Sequence, residues 1–238
     1  MLEIRCISDT MRQRENRHSR GEVQRMNENI EQIRQALKGR PQGFTDRTGR
    51  GASAVCIPLL PSPDSAGGCS ILFEVRAQKL KRQPGEVCFP GGRLEKGETP
   101  VQAAVRETAE ELLLRREQVE ILAPMDGILG SRGAPLWPYL GTLTGYRDTF
   151  SPEEVQRVFC VPLSWFYENE PRIYKTRLTV HPEEDFPYHL IPNGRDYNWG
   201  ERIQEVVFYE RPEAVIWGIT AKILHDTVGC LKDAGISV

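Results

Sequence analysis

Three glutamates, Glu107, Glu110 and Glu111, stand close together with Arg106 beside the first, downstream of the pair Gly91-Gly92. On an α-helix at about 100° per residue, Glu107 and Glu111 are one turn apart and Glu110 falls within the same arc, so all three carboxylates share a face. Like charges at this spacing repel by a few tenths of a kcal/mol per pair, roughly, and Arg106 offsets part of that. Taken alone, they are accounted for better by an acidic face turned to solvent, and it is the surrounding pattern that points to a metal. A divalent cation removes the repulsion altogether: Mg²⁺ and Mn²⁺ take hard carboxylate oxygens together with waters and substrate phosphates. Gly91-Gly92 lets backbone approach such an ion closely enough for a carbonyl oxygen to add a ligand. Glu98, just ahead of the helix, is spaced to pair with Arg106 and fix the loop over it.

The elements that must position these groups follow from local pattern. Thr99-Pro100 supplies an N-cap and a proline at the first helical position. Behind the acids, Ala104, Thr108 and Leu112 recur at steps of four, flanked by Val101, Val105 and Ala109, a small apolar flank that lets the helix sit close to a sheet. Upstream, "ASAVCIPLLP" and "CSILFEVRA" are β-branched runs parted by the turn-rich "SPDSAGG", which predicts an adjacent strand pair. Residues 78–97 read as a loop with one short strand. Further strands are expected at "VEILAPMDGIL", "LWPYLGTLTGY", "VQRVFCVPL", "RIYKTRLTV", "PYHLIP" and "EVVFYE", and a closing helix at "PEAVIWGITAKILHDTVGCL", with Gly218 inside it as a point of close packing.

Ahead of all this, Val23, Met26, Ile30, Ile33 and Leu37 mark an amphipathic helix after a polar arm over residues 1–21. The expected organisation is an N-terminal arm and helix over 1–48 and a catalytic-size domain over 49–238. Strands, a helix, more strands and a last helix, in that order, predict an α+β fold with a central helix on a mixed sheet.

Composition narrows the function. With 238 residues, 39% hydrophobic and 27% charged, and a mean hydropathy of −0.46, the chain has the balance of a water-soluble globular domain. No apolar run is long enough to span a bilayer. A net charge of −2 gives no broad attraction for a nucleic acid backbone, so a polyanionic substrate must be met locally. The six cysteines fall singly, without the spacing of a zinc site, and read as reduced thiols of a cytoplasmic protein. The C-terminal "DAGISV" is not a peroxisomal address of the S-K-L type.

Written out from Gly92 through Glu98 and Arg106-Glu107 to Glu110-Glu111, the stretch resembles the Nudix box, the signature of hydrolases that cleave diphosphate bonds in nucleoside diphosphates linked to another moiety. The resemblance implies the Nudix α/β/α sandwich, with the catalytic helix following the glycine-rich loop. It implies Mg²⁺ or Mn²⁺ as cofactor, Glu107, Glu110 and Glu111 as metal ligands, Gly92 as a backbone ligand, and Glu98 with Arg106 as the supporting pair. Thr108 departs from the pattern where an aliphatic residue is usual, and Leu113 stands where the box has glycine. Without that glycine to end the helix in a left-handed conformation, the helix is expected to continue to about Arg116.

The preceding loop, Leu72 to Gly92, resembles the second signature of the coenzyme A diphosphatases within that superfamily. Arg76, Gly85, Phe89, Pro90, Gly91 and Gly92 match in register; Lys81 stands for its second arginine, Ala77 for its serine, and Phe73 and Glu74 for a Leu and a Thr. Coenzyme A carries a 3′-phosphate besides its diphosphate, and Arg76, Lys79, Lys81 and Arg82 are cations available to it. The implied substrate contacts are Arg76, Lys81, Arg82, Gly85, Phe89 and Gly91, and the implied products 3′,5′-ADP and (acyl-)4′-phosphopantetheine. Other readings are a Nudix pyrophosphatase for ADP-ribose, nucleotide sugars or NADH, and a nucleotide-binding Nudix module without activity. The proton acceptor stays unranked among the box glutamates and Glu153, Glu154, Glu183, Glu184 and Asp185. Of the four tryptophans, expected mostly in the core, Trp199 is the candidate surface for stacking on a base. The partner is a small nucleotide, with no nucleic acid or membrane; a homodimer is left open.

Overall fold

The computed structural model describes residues 24–39, 51–62, 68–129 and 134–236. Helix α1, residues 24–36, buries Met26, Ile30 and Ile33, and Leu37 is buried just past its end. Val23 and the arm over residues 1–21 lie outside the described residues.

Strands β1 (Ser53–Pro61) and β2 (Cys69–Arg76) pair antiparallel, as the two apolar runs predict. The loop expected to hold one short strand holds two, β3 (Val87–Cys88) on β2 and β4 (Gly91–Arg93) on the opening half of β1. After helix α2 (Pro100–Glu111) come β5 (Val119–Pro124), β6 (Ile128–Leu129), β7 (Pro135–Leu143) and β8 (Val155–Pro162). β7 runs parallel to β1, while β5 on β7 and β8 on β2 are antiparallel, so the sheet is mixed.

Side chains along β2 alternate between two packed layers. Leu72 faces Ala109 and Leu112 of α2. Ile71, Phe73 and Val75 point the other way and join Ile33 of α1, Phe166 of α3 (Leu163–Glu168), and Leu224 and Val228 of α4 (Gly218–Asp233). Helices thus cover both faces, the α/β/α layering of an α+β fold. Burying each large apolar side chain of this kind contributes about 1.5–3 kcal/mol.

Helix α2 starts as the sequence predicts. Thr99 accepts from the Gln102 amide at 3.4 Å while Gln102 Oε1 accepts from the Thr99 amide at 2.9 Å, with Pro100 in the first turn. Its end does not follow the expectation. The helix stops at Glu111 rather than running to Arg116, because Leu113 itself adopts φ +54° and the Leu114 amide folds back to the Ala109 carbonyl at 2.8 Å. Two carbonyls at that end are capped from afar: Ser151 N donates to Glu111 O at 2.7 Å and Thr149 Oγ1 to Leu112 O at 2.7 Å. These tertiary hydrogen bonds stop the helix where the sequence offers no glycine.

The C-terminal third differs from expectation at two points. "PYHLIP" is no strand but a 3₁₀ turn, Tyr188–Leu190, bracketed by Pro187 and Pro192, neither of which has an amide to give a sheet ladder. The stretch expected to be wholly helical opens with a strand, β11 (Val215–Trp217), antiparallel to β10 (Glu201–Glu210). Gly218 is therefore the first residue of α4 rather than an internal one. It has φ +64°, and a Cβ there would meet nothing within 4 Å, so backbone conformation and not close packing requires glycine. β9 (Arg172–Thr179) completes this three-stranded sheet and is exposed along its whole length, whereas Val207, Tyr209 and Ile216 tie the sheet into the core.

Leu113 is 60% exposed, so its side chain contributes little by burial. Relief of the left-handed penalty outweighs the extra freedom glycine gives the unfolded chain, and Leu113→Gly is expected to raise stability by roughly 0.5–1 kcal/mol in urea denaturation.

Candidate metal centre

Along their lengths β1 and β2 do not stay paired: β1 pairs with β2 over Leu59–Pro61 and with β4 over Ser53–Val55. Where they part, the segment Phe89–Gly92 wedges in, and the Pro90 carbonyl accepts from Cys56 N at 2.9 Å. Phe89 anchors the wedge from below, 3% exposed and stacked on Phe73 at 5.1 Å. Phe89 is thus a core residue that sets the loop and does not line the site, because the other packed layer of the sheet takes its ring.

The wedge lies directly under α2. Gly91 N donates to Glu111 Oε2 at 2.7 Å. A Cβ on Gly92 would stand 2.3 Å from Glu107 Oε1, so only glycine leaves that carboxylate its space. A Cβ on Gly91, where φ is +149°, would stand 2.3 Å from the Ala54 carbonyl oxygen and 2.6 Å from Val55 Cα.

Arg106 holds the acids together. Only 7% exposed, it grips Glu98 with Nε to Oε1 at 2.9 Å and Nη2 to Oε2 at 2.9 Å, a bidentate pair. Nη2 also donates to the Arg93 carbonyl at 3.0 Å, and Nη1 lies 3.1 Å from Glu107 Oε1 and 3.3 Å from Glu110 Oε2. The Glu98–Arg106 pair expected from spacing is present and binds the loop after β4 to the helix. Its hydrogen bonds to Arg106 hold Glu98 below the usual carboxylate range.

Glu107, Glu111 and Glu154 each bring a carboxylate oxygen to within 4.8 Å of the other two. Three convergent hard oxygens of this kind suit a divalent cation. Burial pushes Glu111 well above the ordinary carboxylate value, with repulsion from Glu74 adding to it and the Gly91 amide opposing it. Burial also raises Glu107, against the pull of Arg106. Glu110 stands at the solvent edge, its side chain 58% exposed, bonded to Arg106 and outside the three-carboxylate group.

Of the five acids beyond the box, the fold brings Glu154 alone into this group among the described residues. Glu153 pairs outward with Lys79, and Glu183, Glu184 and Asp185 are exposed in the segment after β9. The turn before β8 positions Glu154, whose carbonyl accepts from Ala77 N at 2.9 Å. Arg76 ends β2 beside it, with Nε donating to the Arg82 carbonyl at 3.4 Å, while Lys81 and Arg82 are exposed on the same loop. Gly85, at φ +74°, closes that loop by donating to the Arg76 carbonyl at 3.0 Å. Trp199 packs edge-on against Phe186 and Tyr197 within its own loop.

Residues 52–182 match the family model of the NUDIX domain, more than half of the chain. The protein belongs to the Nudix family. It is 32% identical over 176 residues to the mouse protein named peroxisomal coenzyme A diphosphatase NUDT7, covering 71% of this chain and 66% of the mouse protein's length. It is 32% identical over 192 residues to the uncharacterized Nudix hydrolase NudL of Escherichia coli O6:H1, covering 79% of this chain and 86% of that protein. A Caenorhabditis elegans protein named peroxisomal coenzyme A diphosphatase ndx-8 is 32% identical over 118 residues, covering 48% of this chain and 50% of its own. Nudix hydrolases act on diphosphate bonds of small nucleotide substrates and use divalent metals such as Mg²⁺ or Mn²⁺. No helix among the described residues is long and apolar enough to cross a membrane.

The two glycines separate fold from site. Gly91→Ala, meeting fixed backbone, is expected to destabilise the protein by about 2 kcal/mol or more in thermal or urea unfolding. Gly92→Ala meets only the end of Glu107 and is expected to leave stability nearly unchanged while weakening Mn²⁺ binding by about tenfold or more, read by electron paramagnetic resonance titration.

Proposed function

We propose that this Nudix hydrolase cleaves the diphosphate of coenzyme A or its thioesters, releasing 3′,5′-ADP and (acyl-)4′-phosphopantetheine. The observation that carries the reading is the tie between the basic loop and the carboxylate group: Ala77 N to the Glu154 carbonyl at 2.9 Å joins the turn after Arg76 to an acid of the centre. A diphosphate at the acids would therefore have cations close by for a further phosphate. The names of the mouse and worm relatives support the same substrate class. The five described cysteines are free thiols, which suits a cytoplasmic setting.

In this reading Glu107 and Glu111, which converge, and Glu110 from the solvent edge would hold Mg²⁺ or Mn²⁺ together with the Gly92 carbonyl. When bound, the cation neutralises charge on the diphosphate oxygens as water attacks phosphorus. Arg106, saturated by Glu98, Glu107, Glu110 and the Arg93 carbonyl, keeps the helix and loop in one geometry before substrate arrives. The Gly91 amide, donating to Glu111 Oε2, fixes the orientation of that carboxylate. Glu154, exposed at the mouth of the group, takes the proton of the attacking water. Arg76, Lys81 and Arg82 receive the 3′-phosphate, Arg76 as a fork and Lys81 as a point charge.

With Mg²⁺ or Mn²⁺ present, kcat/KM for coenzyme A or an acyl-coenzyme A is expected to exceed that for ADP-ribose, a nucleotide sugar or NADH by at least about tenfold. Equal or reversed rates would replace coenzyme A with the preferred compound. Glu111→Gln and Glu154→Gln are each expected to lower kcat by roughly 100-fold or more, whereas Lys81→Ala raises KM for coenzyme A and leaves dephospho-coenzyme A unaffected.

A further inference from the structure

Glu74 lies on the α2 face of β2, in alternation with Leu72, and is only 1% exposed. Its strand neighbours are Cys88 on β3 and Val158 on β8. Cys88 Sγ donates to Glu74 Oε1 at 3.2 Å, while Oε2 is buried with no hydrogen-bond partner. The carboxylate repels Glu111, Glu107 and Glu154, and Arg76 attracts it. An acid buried with one oxygen unsatisfied, beside three more acids, costs several kcal/mol, roughly, if nothing compensates it. A strand position between apolar neighbours has no need of a carboxylate for folding.

We infer that Glu74 is an outer carboxylate of the metal centre: its unpartnered Oε2 accepts a hydrogen bond from a water carried by the cation, and its charge tightens cation binding by Glu107 and Glu111. Glu74 stands outside the set of oxygens that lie within 4.8 Å of one another, which fits a role through water rather than direct ligation. Mg²⁺ and Mn²⁺ keep several waters when bound by carboxylates, so an acceptor behind the ligands has something to hold. Cys88, donating to the other oxygen, sets the orientation of the carboxylate. Glu74 is a positioning residue in this scheme. The inference rests on Glu107 and Glu111 as cation ligands and is indifferent to which diphosphate is cleaved.

The test uses the full chain without substrate, titrated with Mn²⁺ by electron paramagnetic resonance, and compares Glu74→Gln, Glu74→Asp and Glu74→Thr with the parent. Thr is included because a β-branched residue fits a strand and keeps the test readable if Gln fails to fold. Gln and Thr are expected to weaken Mn²⁺ binding by about tenfold or more, and Asp, which keeps the charge, by about threefold or less. In EDTA, Gln and Thr are expected to melt at a higher temperature than the parent, since a buried repulsive charge is gone. The rise in melting temperature on adding Mn²⁺ should shrink in both. Mn²⁺ binding by Gln or Thr equal to the parent's would overturn the inference. So would unfolding of both, which would make Glu74 a structural residue. A failed coenzyme A assay leaves these readouts untouched, so the two readings fail separately.

Discussion

Carboxylates gathered in a half-buried cleft repel one another, and holding them there without a cation is the constraint on which the rest of the structure depends. Arg106 meets it on one side, satisfied by Glu98, Glu107, Glu110 and the Arg93 carbonyl while almost wholly buried. The Gly91 amide meets it on the other by donating to Glu111. Neither neutralises the whole group. Burial pushes Glu107 and Glu111 toward their protonated forms, and the remaining repulsion is what a divalent cation relieves.

The fold contributes by parting two strands. β1 gives its first half to β4 and its last to β2, and the gap admits a backbone segment free of side chains at Gly91 and Gly92. Phe89 and Phe73 stack beneath it, so the wedge is fixed by the apolar layer and presents only amides and carbonyls upward. A helix laid across that wedge, covering Leu72 and Cys56 with Ala109 and Leu112, brings its acids to the glycines. Core packing on one face of the sheet and chemistry on the other use the same few residues of β2 and β3.

The chain's net charge of −2 gives no broad attraction for polyanions. A basic loop after β2 is tied to the turn that carries Glu154 by the hydrogen bond from Ala77 N to the Glu154 carbonyl. Lys79 pairs with Glu153 in that arrangement. The distant three-stranded sheet of β9, β10 and β11 adds no carboxylate to the group among the described residues; it joins the core through Val207 and Tyr209 of β10 and Ile216 of β11.

Much of this was legible in the residues alone. The shared face of Glu107, Glu110 and Glu111, the cap at Thr99-Pro100, the pairing of Glu98 with Arg106, the space needed at Gly92 and the β1–β2 pair all depend on neighbours within a turn or a hairpin, and short-range pattern reports such neighbours. What stayed hidden depends on contacts between distant segments. Helix α2 ends at Glu111 because Thr149 and Ser151 cap it. Glu154 rather than four rival acids reaches the group because β8 lies beside β2. Phe89 turns inward because Phe73 waits on the other layer, and Glu74 meets the acids because strand alternation points it at α2. Sequence by itself determined which residue types suit a cation, since that is a matter of side-chain chemistry and helical spacing; the tertiary structure decided which carboxylates converge, since distance between remote segments is set only when the sheet assembles.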